Sequence, residues 1–90
     1  MEEAREISKG LIEEGLITCA SIIQPVESWF VWKEKVEVVQ EVQLILKAAK
    51  ENYGAVEQWI VANHSYEVPE IIALPVERGL KSYVDWIKNS

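Results

Sequence analysis

Between residues 16 and 48 the chain carries three apolar runs back to back: LITCASII at 16–23, SWFVWKEK at 28–35, and a stretch from Val36 to Ala48 centred on VQLIL. No other feature narrows the fold so far. The runs are rich in β-branched and aromatic residues and too short for most helices, so they are expected to form strands. Pro25 is expected to break the first run from the second, because proline has no N–H to give a ladder. In the third run Val42, Leu44 and Leu46 fall on one face, and Gln43, Ile45 and Lys47 on the other, which is the period of a strand. The charged stretch KEKVE at 33–37 reads as a hairpin tip, although no Asn-Gly or Asp-Gly marks it. Strands this long and apolar suit a hairpin that reaches beyond its own domain.

Helical periodicity lies on either side. Ala4, Ile7 and Leu11 predict a helix over residues 2–15 with Gly15 as its stop, and Tyr53, Val56 and Ile60 predict a second over 50–63. Pro69 then sets an extended approach to Ile71–Val76, read as a fourth short strand that Gly79 ends. Leu80, Tyr83, Val84 and Ile87 mark a short final helix, with Tyr83 and Trp86 expected to pack it on the sheet. The order α-β-β-β-α-β-α fits an α+β two-layer sandwich, and 90 residues make one domain. There is no internal repeat, low-complexity segment or linker.

A chain this short buries only about 60–65% of its unfolded surface. Yet 49% of its residues are hydrophobic, with four tryptophans, Trp29, Trp32, Trp59 and Trp86. That is more apolar surface than a small sandwich hides, so a homo-oligomer is expected. A net charge of −6, from 15 acidic and 9 basic residues, argues against nucleic acid. No apolar stretch approaches the roughly 20 residues of a membrane span. The acidic start MEEAREISKG does not resemble a signal peptide, and one cysteine cannot close an intrachain disulfide, so a cytoplasmic setting is expected.

Three groups of side chains could carry chemistry. The Cys19 thiolate and the His64 imidazole suit Cu(I) or Zn(II), but each also has a plainer role, Cys19 as a small core residue and His64 as a loop cap. Trp29, Phe30 and Trp32 could stack bases, but on an acidic protein they are better read as packing between subunits. Glu13, Glu14, Glu34, Glu37 and Glu41 lack the pocket and second group that would separate their pKa values, so they read as charged faces. With no Ser-His-Asp order and no Gly-rich phosphate loop, neither an enzyme nor an organic cofactor is expected.

HSYEVPEIIALPV (residues 64–76) resembles the signature of the CutA (divalent-cation tolerance) family, an H-x-Y-x-x-P-E core followed by an apolar run. GLIEEGLITCASII, ESWFVWKEKVE, EVQLILKAA and LKSYVDWIKNS resemble other parts of that family in order and spacing, so the likeness covers nearly the whole chain. It implies a ferredoxin-like fold of βαββαβ type with a terminal helix and long hairpin arms, assembled as a homotrimer similar in shape to the PII signalling proteins. It implies copper or another divalent metal as ligand, with Cys19 and His64 as contacts, and a role in metal tolerance. It places Trp32, Lys47, Tyr66 and Glu67 near a cleft between subunits, where they would hold a small anion or form an intersubunit ion pair; a protein partner is the other possibility.

The sequence departs from the family pattern in three places. It begins at the first helix, so the family's first strand is absent and its two sheet neighbours are expected to have unpaired backbone groups. Glu34 stands at the tip where glycine is usual, and would be strained at a positive φ. Asn63 replaces the first of two adjacent histidines, so two ligands alone would make a weak site unless subunits share it.

Overall fold

The computed structural model describes residues 1–65 and 69–89. Its elements run α1 (Glu2–Glu13), β1 (Cys19–Trp32), β2 (Lys35–Lys47), a 3₁₀ turn (Lys50–Asn52), α2 (Tyr53–Asn63) and α3 (Lys81–Lys88). The strands pair as one antiparallel hairpin, and the molecule measures 45 × 27 × 21 Å. This is an α+β arrangement, with α1 and α2 packed beside the base of a long arm.

α1 stops where the sequence says it should. Gly15 takes a left-handed φ of +71°, its N–H donates to Ile12 O, and the Leu16 N–H donates to Leu11 O. That pair of bonds is a Schellman cap. It satisfies two orphan carbonyls and turns the chain so that Leu16 and Ile17 fold back on the helix. The core lies here: Ile7 and Leu11 of α1, Ile17, and Val56 and Ile60 of α2, with Leu44, Leu46 and Trp59 packed on its margin. Gly10 lets the Trp59 ring lie against the α1 backbone, because a Cβ there would collide with it.

The expected break at Pro25 is not there. The first two runs form the single strand β1, in which Ile23 faces Gln43 and Val26 faces Glu41. Gln24 and Pro25 together oppose Val42, a β-bulge. The bulge leaves an unpaired residue where proline's missing N–H is not needed, so the ladder resumes beyond it. At the tip, Trp32 faces Lys35, and Lys33 and Glu34 form a two-residue turn with φ values of 51° and 67°. A turn with both central residues left-handed matches the right-handed twist of the strands. Glu34, at a positive φ with a Cβ, is therefore strained as expected, and Lys33 shares that strain.

The fourth strand also needs correction. Residues 69–80 form no helix and join no ladder among the described residues. Ile71 touches the core margin, but Ile72, Leu74 and Val76 stand 73%, 82% and 77% exposed. A strand requires a neighbour for its backbone groups, and a cleft separates this run from β2. Tyr83 and Trp86 are likewise more exposed than expected: their rings lie 5.7 Å apart at 40°, on the outside of α3. α3 is tied to the hairpin base by the Thr18 hydroxyl, which donates to Ile87 O at 3.1 Å.

Candidate metal and ligand site

Cys19 opens β1 and pairs across the hairpin with Lys47, the last residue of β2. It is a free, half-buried thiol. Lys47 reaches over to α3, where its ammonium donates to the Tyr83 hydroxyl at 3.0 Å. The nitrogen lies 5.2 Å from the ring centre, so the contact is a hydrogen bond at the phenol edge rather than a cation over the ring face. That hydrogen bond, then the charge of the phenol when it ionises, and to a lesser degree Cys19, hold the Lys47 ammonium above its usual 10.5. Cys19, Lys47 and Tyr83 therefore meet where the hairpin base joins the last helix.

His64 lies elsewhere on the chain, as the C-cap of α2, with its N–H donating to Ile60 O. Asn63 donates its side-chain amide to Trp59 O at 2.8 Å, one turn back on the exposed side of α2. Ser65 is held by α1: its N–H and its hydroxyl both donate to the Glu3 carboxylate, at 2.7 and 3.1 Å. These bonds, the hydroxyl's first, hold the Glu3 carboxyl below its usual 4.5, with His64 adding a smaller Coulombic part. A lowered carboxyl pKa contributes stability above the unfolded value that is lost as pH falls through the folded one. The amide of Ser65 should therefore lose hydrogen-exchange protection on acidification below pH 4.5, and Glu3→Gln should abolish that pH dependence. Unchanged protection down to pH 2 would show that the carboxylate does not hold the loop.

Trp32 sits at the far end of the arm, next to the tip, and is 61% exposed. It is at the other end of the hairpin from Lys47, so within one chain these two of the four expected cleft residues do not share a pocket. Tyr66 and Glu67 lie outside the described residues. Among the described residues, no three His, Cys, Asp or Glu side chains gather closely enough to hold a metal ion. One chain's described donors thus do not make a complete metal centre, and a cation would need donors from elsewhere. The Lys47–Tyr83 contact escaped the sequence reading because the two residues are 36 positions apart with no shared period.

What the arm exposes is apolar. Trp29, Val31, Trp32 and Val36 are each 61–69% exposed near the tip. Trp29 turns its indole N–H to the Glu27 carboxylate at 2.8 Å, which leaves the ring faces open.

A long twisted hairpin, two helices on its base and a third helix closing beside Lys47 define an α+β domain of ferredoxin-like type. The chain belongs to the CutA1 divalent ion tolerance protein family, whose profile matches residues 1–90. The divalent-cation tolerance protein CutA of Archaeoglobus fulgidus is 42% identical over 90 residues, which span all of this chain and 87% of that protein. A solved structure of the Thermus thermophilus divalent cation tolerance protein superposes with a TM-score of 0.93 at 36% identity, covering 98% of this chain and 85% of that one. A rice protein named CutA 1, chloroplastic, is 37% identical over 89 residues, which span 99% of this chain and 50% of the rice protein.

Proposed function

We propose that this chain acts in divalent-cation tolerance as a homotrimer that binds copper or another divalent ion weakly, by coordination and without catalysis. The observation that carries this reading is the aromatic arm. An isolated chain would leave Trp29, Val31, Trp32 and Val36 in water, whereas in a trimer neighbouring subunits cover them. Membership of the tolerance family supplies the physiological role, and the cytoplasm is the proposed setting. Among the described residues no helix is long and apolar enough to cross a membrane.

Cys19 would give a thiolate and His64 a ring nitrogen, with the remaining donors shared between subunits. Copper titration of the parent, Cys19→Ser and His64→Ala tests this assignment. Each substitution should weaken binding about tenfold or more, in the range that ligand-shell losses cause. Equal affinity in all three proteins would remove both residues as ligands.

A second reading is a trimeric PII-like scaffold that takes a small molecule or partner protein near Trp32, Lys47, Tyr66 and Glu67. The Lys47 ammonium, held at the hairpin base by the Tyr83 hydroxyl at 3.0 Å, is the described cation that supports it. Metal-independent behaviour, together with a ligand that raises the melting temperature, would establish it over the first.

A further inference from the structure

Both peptide groups that flank His64 are pinned. On one side its own N–H donates to Ile60 O at 2.7 Å, the bond that closes α2. On the other side the Ser65 N–H donates to the Glu3 carboxylate at 2.7 Å. A peptide group is planar, so fixing its N–H fixes the whole plane. The first bond sets φ of His64 and the second sets ψ, at −90° and 144°. With both angles set, the direction of the Cα–Cβ bond is set too, and the imidazole is carried one way from the end of α2. The Ser65 hydroxyl donates to the other oxygen of the same carboxylate, at 3.1 Å, so the grip is two-pronged.

The first bond is local, as at any helix end. The second is not: Glu3 is 62 residues from Ser65 and stands in the first turn of α1. Hydrogen bonds to an ionised carboxylate are about twice as strong as neutral ones. α1 does not need Glu3 for its own packing, because its buried stripe is Ala4, Ile7, Ser8 and Leu11. We infer that Glu3 is a positioning residue for His64: acting through Ser65, it fixes from α1 the direction in which the imidazole is presented to a divalent cation. Its use depends on the metal reading above; its geometry depends only on the two bonds to Ser65. A donor held in place loses less freedom on binding, so Glu3 raises affinity without touching the ion.

Glu3→Ala and Glu3→Gln in the purified chain separate this role from others. Alanine removes both bonds and is the better helix former, so α1 should persist. Glutamine keeps one carbonyl oxygen, and so one bond to Ser65, without the charge. In the metal-free protein the backbone amide order parameters of His64 and Ser65 should be about 0.85 in the parent and fall towards about 0.6 in Glu3→Ala, with Glu3→Gln between. Glu2→Ala, which removes an equal charge from the same turn, should leave them unchanged. In a copper titration Glu3→Ala should weaken binding about tenfold, as the loss of a group that orients a ligand does, and Glu3→Gln should weaken it less. In the His64→Ala background Glu3→Ala should have no further effect. Unchanged order parameters in Glu3→Ala would overturn the inference. So would a loss of copper affinity that persists in the His64→Ala background. Equal losses in Glu3→Gln and Glu3→Ala, with His64 still ordered in the glutamine variant, would also overturn it by making the carboxylate itself a ligand. A copper affinity that His64→Ala does not alter would remove the metal reading instead, and the metal-free order parameters would still decide whether Glu3 holds His64.

Discussion

Leu11→Ala is expected to lower the unfolding free energy by about 3–5 kcal/mol, the cost of emptying a fully enclosed leucine site that cannot collapse. Leu11 has no exposed surface, and it is packed among Ile7, Ile17, Val56 and Ile60, which are each no more than 7% exposed. These contacts hold α1 to α2 and fix the segment that leads into β1. A domain of this kind has about 5–15 kcal/mol in total, so the loss would take a large share of it. Ile12 is the internal control: next in sequence, on the same helix, it is 47% exposed. Ile12→Ala should change stability by no more than about 0.5 kcal/mol, as surface substitutions do. Denaturant unfolding of both variants checks the pair. Equal and small effects would mean that the core does not lie between the two helices.

The second large effect is a gain. Replacing Lys33 and Glu34 by Asn and Gly should raise stability by about 2 kcal/mol. Each left-handed residue with a Cβ costs about 1–2 kcal/mol, and Asn-Gly is the pair that adopts this turn most readily. The denaturant midpoint should rise with an unchanged slope, since neither side chain buries surface. No gain would mean that the two residues do not take positive φ in solution. The natural pair also has a physical consequence for the arm: two charges at the tip keep the end of an apolar hairpin wet, which discourages open-ended pairing between arms.

Local signals were enough for much of this fold. Ala4, Ile7 and Leu11 gave the buried stripe of α1 because a helix repeats its own face without outside help, and Gly15 marked the stop because only glycine takes that φ easily. The alternation Val42, Leu44, Leu46 gave the inward face of β2 for the same reason. The departures all involve partners distant in sequence. Pro25 breaks a strand only if its missing N–H is needed, and that depends on what β2 places opposite. Counted outward from the Trp32–Lys35 pair, Cys19 would fall opposite Ala48. The bulge moves it to Lys47, which is how the thiol comes to lie beside an ammonium. Ile71–Val76 has the composition of a strand, but composition supplies no neighbour, and here a cleft takes the neighbour's place. Of the proposed site, Cys19 and Lys47 are brought together, while His64 sits at the end of α2 and Trp32 at the far end of the arm. A spacing pattern cannot tell a site within one chain from a site between chains.

The exposed tryptophans of the arm make assembly the point on which the functional reading turns. Sedimentation equilibrium of the purified chain, without added metal, is the direct measurement. A mass near three times the 10.3 kDa of one chain is the expected result, and it would mean that neighbouring subunits cover Trp29 and Trp32 and can complete the donor set of Cys19 and His64. A mass of one chain across the concentration range would contradict it, because the shared sites would then not exist and the aromatic arm would need another partner.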